Sequence, residues 1–366
     1  MKQTKKSLND FIFSVKQKNK KLKTIISIPR SNSTIIELIL SSSSSVSKVI
    51  HEPFLDFGYY DAEVFSVYQK ISSIINTGNK RRETFLIKEM AHWLIKDNAY
   101  KVFLKSVDKP VILLIKNPYL SIESKIRKIL QGADRKNRPD LAKILSTSMF
   151  QQKNKNIRDS RDGLNFFAKE RRYNSWAKLV EEEAIQKRNF TMFNLVVKYF
   201  VKNSAEDIWG WKNIDEIRKF LDKNEMKYKI LEGVDFQLAP EATIYGLCKV
   251  LNINFDKKML YCSEKKFNKL IKQISPHSIL WYEKVLSSQE IIKPNISPLS
   301  INKFPSCVQK YLSNIALPIY RQLCLSQHRL DVLSYSTNLK HDRISFQNYK
   351  TIDPIYFAAN KHIKCF

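Results

Sequence analysis

Five consecutive residues, Arg30-Ser31-Asn32-Ser33-Thr34, carry the most specific chemistry in this chain. They follow a short Ile-rich segment, Thr24 to Pro29, and precede the apolar run IIELIL. A strand that turns through small polar residues into a helix leaves the first helical N–H groups without intrahelical partners. The helix dipole adds partial positive charge there, so the turn attracts anions. Arg30 adds a full charge and a planar fork of donors. The segment predicts a phosphate or sulfate ligand. The plainer role for the same residues is that Ser31 and Ser33 cap a helix while Arg30 is a surface charge.

The elements that must position this turn are legible as short apolar runs. Thr24–Pro29, Lys48–His51, Thr84–Lys88, Pro110–Lys116 and Tyr228–Leu231 read as strands. Between them Tyr68–Ile75 and Tyr119–Leu130 read as helices, and after the last strand so does the stretch PEATIYGLCKVLNI from Pro240. Strands alternating with helices imply a parallel sheet covered on both faces. Ligands of such sheets bind beyond the carboxyl ends of the strands. Every predicted strand here ends in a polar or charged cluster: Pro29-Arg30, His51-Glu52, Lys88-Glu89, Lys116-Asn117 and Glu232-Gly233. That convergence points to a site at one edge of the sheet.

Composition narrows the classes. A chain of 366 residues with an ordinary apolar fraction can bury one large core or two modest ones. It holds no apolar run of about 18 residues or more, so no transmembrane segment is expected. Phe11–Val15 is too short for a signal peptide, and KHIKCF is no prenylation box. The five cysteines are widely spaced and make no zinc pattern, and the six histidines are scattered. Reduced thiols, a cytoplasmic location and no metal are expected. The net charge is +28, carried mainly by lysines spread along the chain. Diffuse compositional charge explains it better than a dedicated polyanion groove, so no dedicated nucleic-acid site is expected. Residues 1–23 read as a basic N-terminal arm, 24–330 as the main domain with a helical insertion at 131–225, and 331–366 as a C-terminal tail.

The anion is not an ordinary nucleoside triphosphate. A Walker loop needs G-x-x-x-x-G-K-[ST]. No Gly lies between Ile25 and Gly58, no Lys precedes Ser33-Thr34, and no strand ends in an Asp that would hold Mg²⁺. Instead, IPRSNSTIIELIL resembles the 5′-phosphosulfate loop of sulfotransferases, whose usual form is PRSGST followed by a helix. These enzymes use 3′-phosphoadenosine 5′-phosphosulfate (PAPS). Their second signature is a strand, a basic residue, then N-P or D-P, and a Ser eight positions after the basic residue. Lys116-Asn117-Pro118 and Ser124 are similar to it. The segments HEPFLDFGYYD (51–61), IKEMAHWL (87–94), ILEGVDFQLAPEATIYGLCKVLNINF (230–255), ILWYEKVLSS (279–288) and LPIYRQL (317–323) resemble further family segments in order. The family's loop glycine is Asn32 here, and its arginine is Lys116. Asn is the non-Gly residue most tolerant of a left-handed backbone, and Lys keeps the charge while losing the bidentate fork.

The resemblance implies an α/β, three-layer P-loop fold with a central parallel sheet of about five strands, plus a helical insertion. It implies PAPS as co-substrate, with Arg30, Ser31, Asn32, Ser33 and Thr34 on the 5′-phosphosulfate and Lys116 and Ser124 on the 3′-phosphate. A strand-end lysine and a solvated helical serine are the plainer roles for that last pair. Sulfuryl transfer is an in-line displacement, so catalysis is mostly positioning and charge stabilisation. An acceptor hydroxyl or amine needs a base. Glu52 is the first candidate, with His92 and Glu89 as rivals, and Lys88 would neutralise the bridging oxygen. An ion pair with a nearby lysine is the plainer role for Glu52, while His51 packs against or orients its neighbour. Trp176, Trp209, Trp211 and Trp281 read as core rather than as pocket walls. The acceptor would be a small molecule, glycan or peptide, and the oligomeric state is open. Two other classes compete: a binding protein that keeps the fold without catalysis, and a basic polyanion-binding protein.

Overall fold

The computed structural model describes residues 20–55, 64–77, 83–125, 207, 209–261, 304 and 306–336. The chain divides into two compact units. The first comprises residues 1–117, 210–297 and 319–366, and the second 118–209 and 298–318.

The first unit contains a five-stranded sheet, all parallel, in the order β2-β3-β1-β4-β5. The strands are β1 Lys21–Ser27, β2 Val46–His51, β3 Thr84–Met90, β4 Val111–Ile115 and β5 Tyr228–Glu232. The predicted α/β architecture with a central parallel sheet is therefore the observed one. The boundaries move. β1 begins at Lys21 rather than Thr24 and stops at Ser27, because Pro29 lacks the N–H that would extend the ladder. β3 runs on past Lys88 to Met90, so Glu89 lies inside the strand rather than after it. β4 starts one residue later than expected, after Pro110.

β4 is buried along its whole length, and β1 everywhere except Lys21, as strands covered on both faces must be. One face packs Ile25, Leu86, Ile112, Leu114 and Leu231 against Ile36 and Ile39 of α1 (Ser33–Leu40). Leu247 and Leu251 from the helix Pro240–Leu251 join the same cluster. The alternate strand residues Ile26, Phe85, Ile87 and Leu113 are equally buried but outside that cluster, on the opposite face. Aromatic contacts tie the elements after β2 and β3 together. Phe54 makes edge contacts with Tyr68 of α2 (Val64–Asn76) and Phe103, and Tyr100 with Phe220. Tyr100 and Phe103 lie on the helix Ala99–Ser106, and Phe220 on Trp211–Lys223.

This division sets the site. The chain leaves β1 through α1 toward β2, two places away in one direction. It leaves β3 and β4 in the other direction. The carboxyl end of β1, flanked by β3 and β4, is the topological switch point where open α/β sheets bind ligands.

Helix Trp211–Lys223 falls within the stretch read as an insertion but belongs to the unit that contains the sheet. Trp211 is fully buried and makes an edge contact with Tyr320, as a core residue does. Trp176, Trp281 and residues 131–206 of the expected insertion lie outside the described residues, as does the arm up to residue 19. In the second unit, 118–125 is helical. There Tyr311 donates to Asp207 Oδ1 at 2.6 Å. Among the described residues, no helix is long and apolar enough to cross a membrane. Cys248 and Cys324 are buried free thiols, and burial pushes the Cys248 thiol up to about 12.

Candidate active site

The β1–α1 turn is held in an unusual backbone shape. Arg30 and Asn32 both have left-handed φ values, 64° and 70°. Such values are uncommon for residues with a Cβ and persist where surroundings enforce them. Here the enforcement is visible. Ser31, fully buried, closes the turn by donating from Oγ to Ile28 O at 2.8 Å. Asn32 donates from Nδ2 to Gly233 O at 2.8 Å. Gly233 is required by close approach: a Cβ there would lie 2.5 Å from Ser31 O. Gly210, at φ 83°, backs the other side, where a Cβ would meet Pro29 Cδ at 2.9 Å. α1 follows, with Asn32 at its N-cap, no side-chain cap and no acid in its first turn. No carboxylate in that first turn therefore compensates its first amides and the positive end of its dipole. Ser33 and Thr34 are buried beside them.

Lys116, just past β4, reaches the same turn. Its Nζ lies 3.5 Å from Asn32 Oδ1. Asn32 thus occupies the glycine position of the resemblance and joins three strand ends, β1, β4 and β5, through one side chain. The adjoining Asn117 N–H donates to Glu232 Oε1 at 2.5 Å, and Glu232 also accepts from Val234 N–H. Glu232, almost fully buried, caps the short helix Gly233–Leu238 and fixes the β4 and β5 ends together. Ser124 lies half-buried on the 118–125 helix of the second unit.

The ends of β2 and β3 carry a chain of buried ionisable groups. His51 pairs with Lys88 in the strand register. Lys88, with no exposed surface, donates from Nζ to Glu52 Oε1. Glu52 is itself buried, with a left-handed φ of 40°, and its N–H donates to Lys88 O at 2.8 Å. His51 Nε2 lies 3.7 Å from the same Glu52 oxygen, and His51 Nδ1 lies 2.7 Å from Glu37 Oε2. Glu37 is on α1 and fully buried.

The two rivals for the base role have different surroundings. Glu89 is fully buried, and both of its oxygens accept backbone N–H groups, Oε2 from Phe54 and Oε1 from Met90, each at 2.7 Å. Burial pushes its carboxyl up to about 8, and the nearby Glu52 charge adds to the rise. The two amides and the Lys88 ammonium oppose it. Glu89 thus pins the turn that follows β2. His92 stands on Ala91–Leu94, directly after β3, with its ring 4.1 Å from that of Trp93.

The structure therefore joins Asn32 to Lys116 in one cluster and Glu52, Lys88 and Glu89 in another. Two participants were missed in sequence. Glu37 carried a visible signal, a single acid inside the apolar run IIELIL. Glu232 reads in the sequence only as a polar strand end.

No family model matches the chain, and no curated protein matches it in sequence. Among solved structures it is similar to a sulfotransferase domain from the curacin biosynthetic pathway. The identity is 11%, the match covers 87% of this chain and 97% of that one, and the TM-score is 0.39.

Proposed function

We propose that this protein is a sulfotransferase that moves a sulfuryl group from PAPS to a hydroxyl or amine acceptor. The observation that carries the reading is the β1–α1 turn at the switch point, with its left-handed Arg30 and Asn32 and the Lys116 ammonium against Asn32. N-terminal amides without an acid in the first turn, plus two cations, suit a dianionic group. The order of family-like segments along the chain adds to this support.

The residues at the ends of β2 and β3 supply the remaining chemistry. Glu52 takes the proton of the acceptor as the acceptor oxygen or nitrogen bonds to sulfur. Lys88 leaves Glu52 to neutralise the charge that the breaking sulfur–oxygen bond deposits on the bridging oxygen. Lys116 holds the 3′-phosphate of the departing 3′,5′-adenosine bisphosphate. The product is a sulfate ester or sulfamate, and no metal takes part.

Thermal shift with 3′,5′-adenosine bisphosphate, run beside ATP, tests the reading. Selective stabilisation by the bisphosphate is expected, weakened in Arg30→Ala and Lys116→Ala by about 1.5–3 kcal/mol of binding each. Equal response to both nucleotides, or none to either, rejects it. Bisphosphate binding without PAPS turnover against a panel of phenols and amines would favour a non-catalytic binding module instead.

A further inference from the structure

Glu37 has no place in the chemistry above, yet it is the most costly residue of its helix. A carboxylate without exposed surface loses its hydration, and a Leu or Met of similar volume would pack there at lower cost. Its Oε1 has no hydrogen-bond partner among the described residues, so the site does not satisfy even this carboxylate fully. Its Oε2 has one partner, His51 Nδ1 at 2.7 Å. The other nitrogen of that ring faces Glu52 Oε1 at 3.7 Å, on the side opposite the Glu37 carboxylate. Glu52 is held from another direction by Lys88.

We infer that Glu37 is a positioning residue that acts on Glu52 through His51. A carboxylate that accepts from Nδ1–H fixes the ring in the Nδ1–H tautomer, and the hydrogen bond of one nitrogen decides the role of the other. Nε2 is then the lone-pair nitrogen directed at Glu52. Glu52 keeps its oxygen on Lys88 at rest, and His51 Nε2 receives it once it carries a proton. The same logic orients the histidine of a Ser-His-Asp triad. Glu37 also lies on the helix whose N-terminus forms the anion turn, so one rigid element sets both the turn and the base. The inference rests on the proposed role of Glu52.

The first measurement needs neither nucleotide nor acceptor. Long-range ¹H–¹⁵N spectra of histidine-labelled full-length protein report the tautomer of each imidazole, with His51 assigned by a His51→Asn variant. His51 is expected as Nδ1–H in the wild type, shifting toward Nε2–H in the isosteric Glu37→Gln. An Nε2–H ring in the wild type, or a ring indifferent to Glu37→Gln, overturns the inference. The second measurement is a double-mutant cycle on PAPS turnover to 3′,5′-adenosine bisphosphate. Glu37→Gln is expected to lower kcat about tenfold or more with the KM for PAPS within about twofold. The Glu37→Gln/Glu52→Gln pair should lose no more than Glu52→Gln alone. Multiplying losses would show that Glu37 acts elsewhere. A wild type that ignores the bisphosphate rejects the proposed function separately, and the tautomer then still decides whether Glu37 sets His51.

Discussion

Glu89 shows how much of a residue's role lies in its surroundings. From the sequence it is one acid in KEMAHWL and a candidate base. In the fold it is sealed from water and spends both oxygens on the amides of Phe54 and Met90. Burial is the main reason its carboxyl is pushed up to about 8. A carboxyl whose folded-state pKa exceeds its unfolded value binds protons more tightly in the native state. Its stabilising contribution is full below about pH 4.5 and is lost as pH rises through about 8. Denaturation midpoints measured from pH 5 to 8 should therefore fall with pH. Glu89→Gln should flatten that slope. The variant should also be less stable throughout by about 1–3 kcal/mol, because its amide nitrogen faces one of the two donors. A slope unchanged in Glu89→Gln would assign the pH dependence to other groups.

At the scale of elements, the β1–α1 connection is the most demanding piece of backbone. Its tolerance for a left-handed residue was readable, since Asn is the side chain best suited to that region after Gly. What fixes the turn was not readable, because the partners are Gly233 and Lys116, far along the chain. The two contributions can be separated. Asn32→Gly relieves the backbone and loses the side-chain bond, so its stability should stay near wild type. Asn32→Ala loses the bond and keeps a Cβ in the left-handed region, costing about 1–2 kcal/mol more than the Gly variant. Chemical denaturation of the two variants measures the difference. Equal stabilities would mean that the turn does not need φ near 70° at this position.

At the scale of the whole molecule, the sheet is closed along β5 by a segment from near the end of the described chain. Ile230 N–H donates to His328 O at 2.9 Å, and Leu330 N–H to Ile230 O at 2.8 Å. Arg329 between them is buried and pairs with both oxygens of Asp235, at 3.3 and 3.2 Å. Asp235→Asn removes the charge partner of a buried guanidinium and should cost about 3–5 kcal/mol, read as a lower urea midpoint. Asp235→Asn with Arg329→Met should recover much of that loss, and a double variant as weak as the single one would contradict the ion-pair account. The net charge of +28 is a property of the chain at this scale as well, and it does not bear on which strands pair.

By itself the sequence determined the strand–helix alternation and the polar turn between β1 and α1, since both are local. PVILLIK reads as a central strand because a strand buried on both faces must be apolar throughout. RSNST before IIELIL reads as a helix entry because backbone amides there lack partners. Only the tertiary structure decided that Glu37 meets His51, that Glu89 holds Phe54, and that Glu232 binds Asn117 across β4 and β5. Those pairs depend on strand order and register, which a periodicity does not encode. They also depend on burial, which turns an ordinary acid into one held by its neighbours.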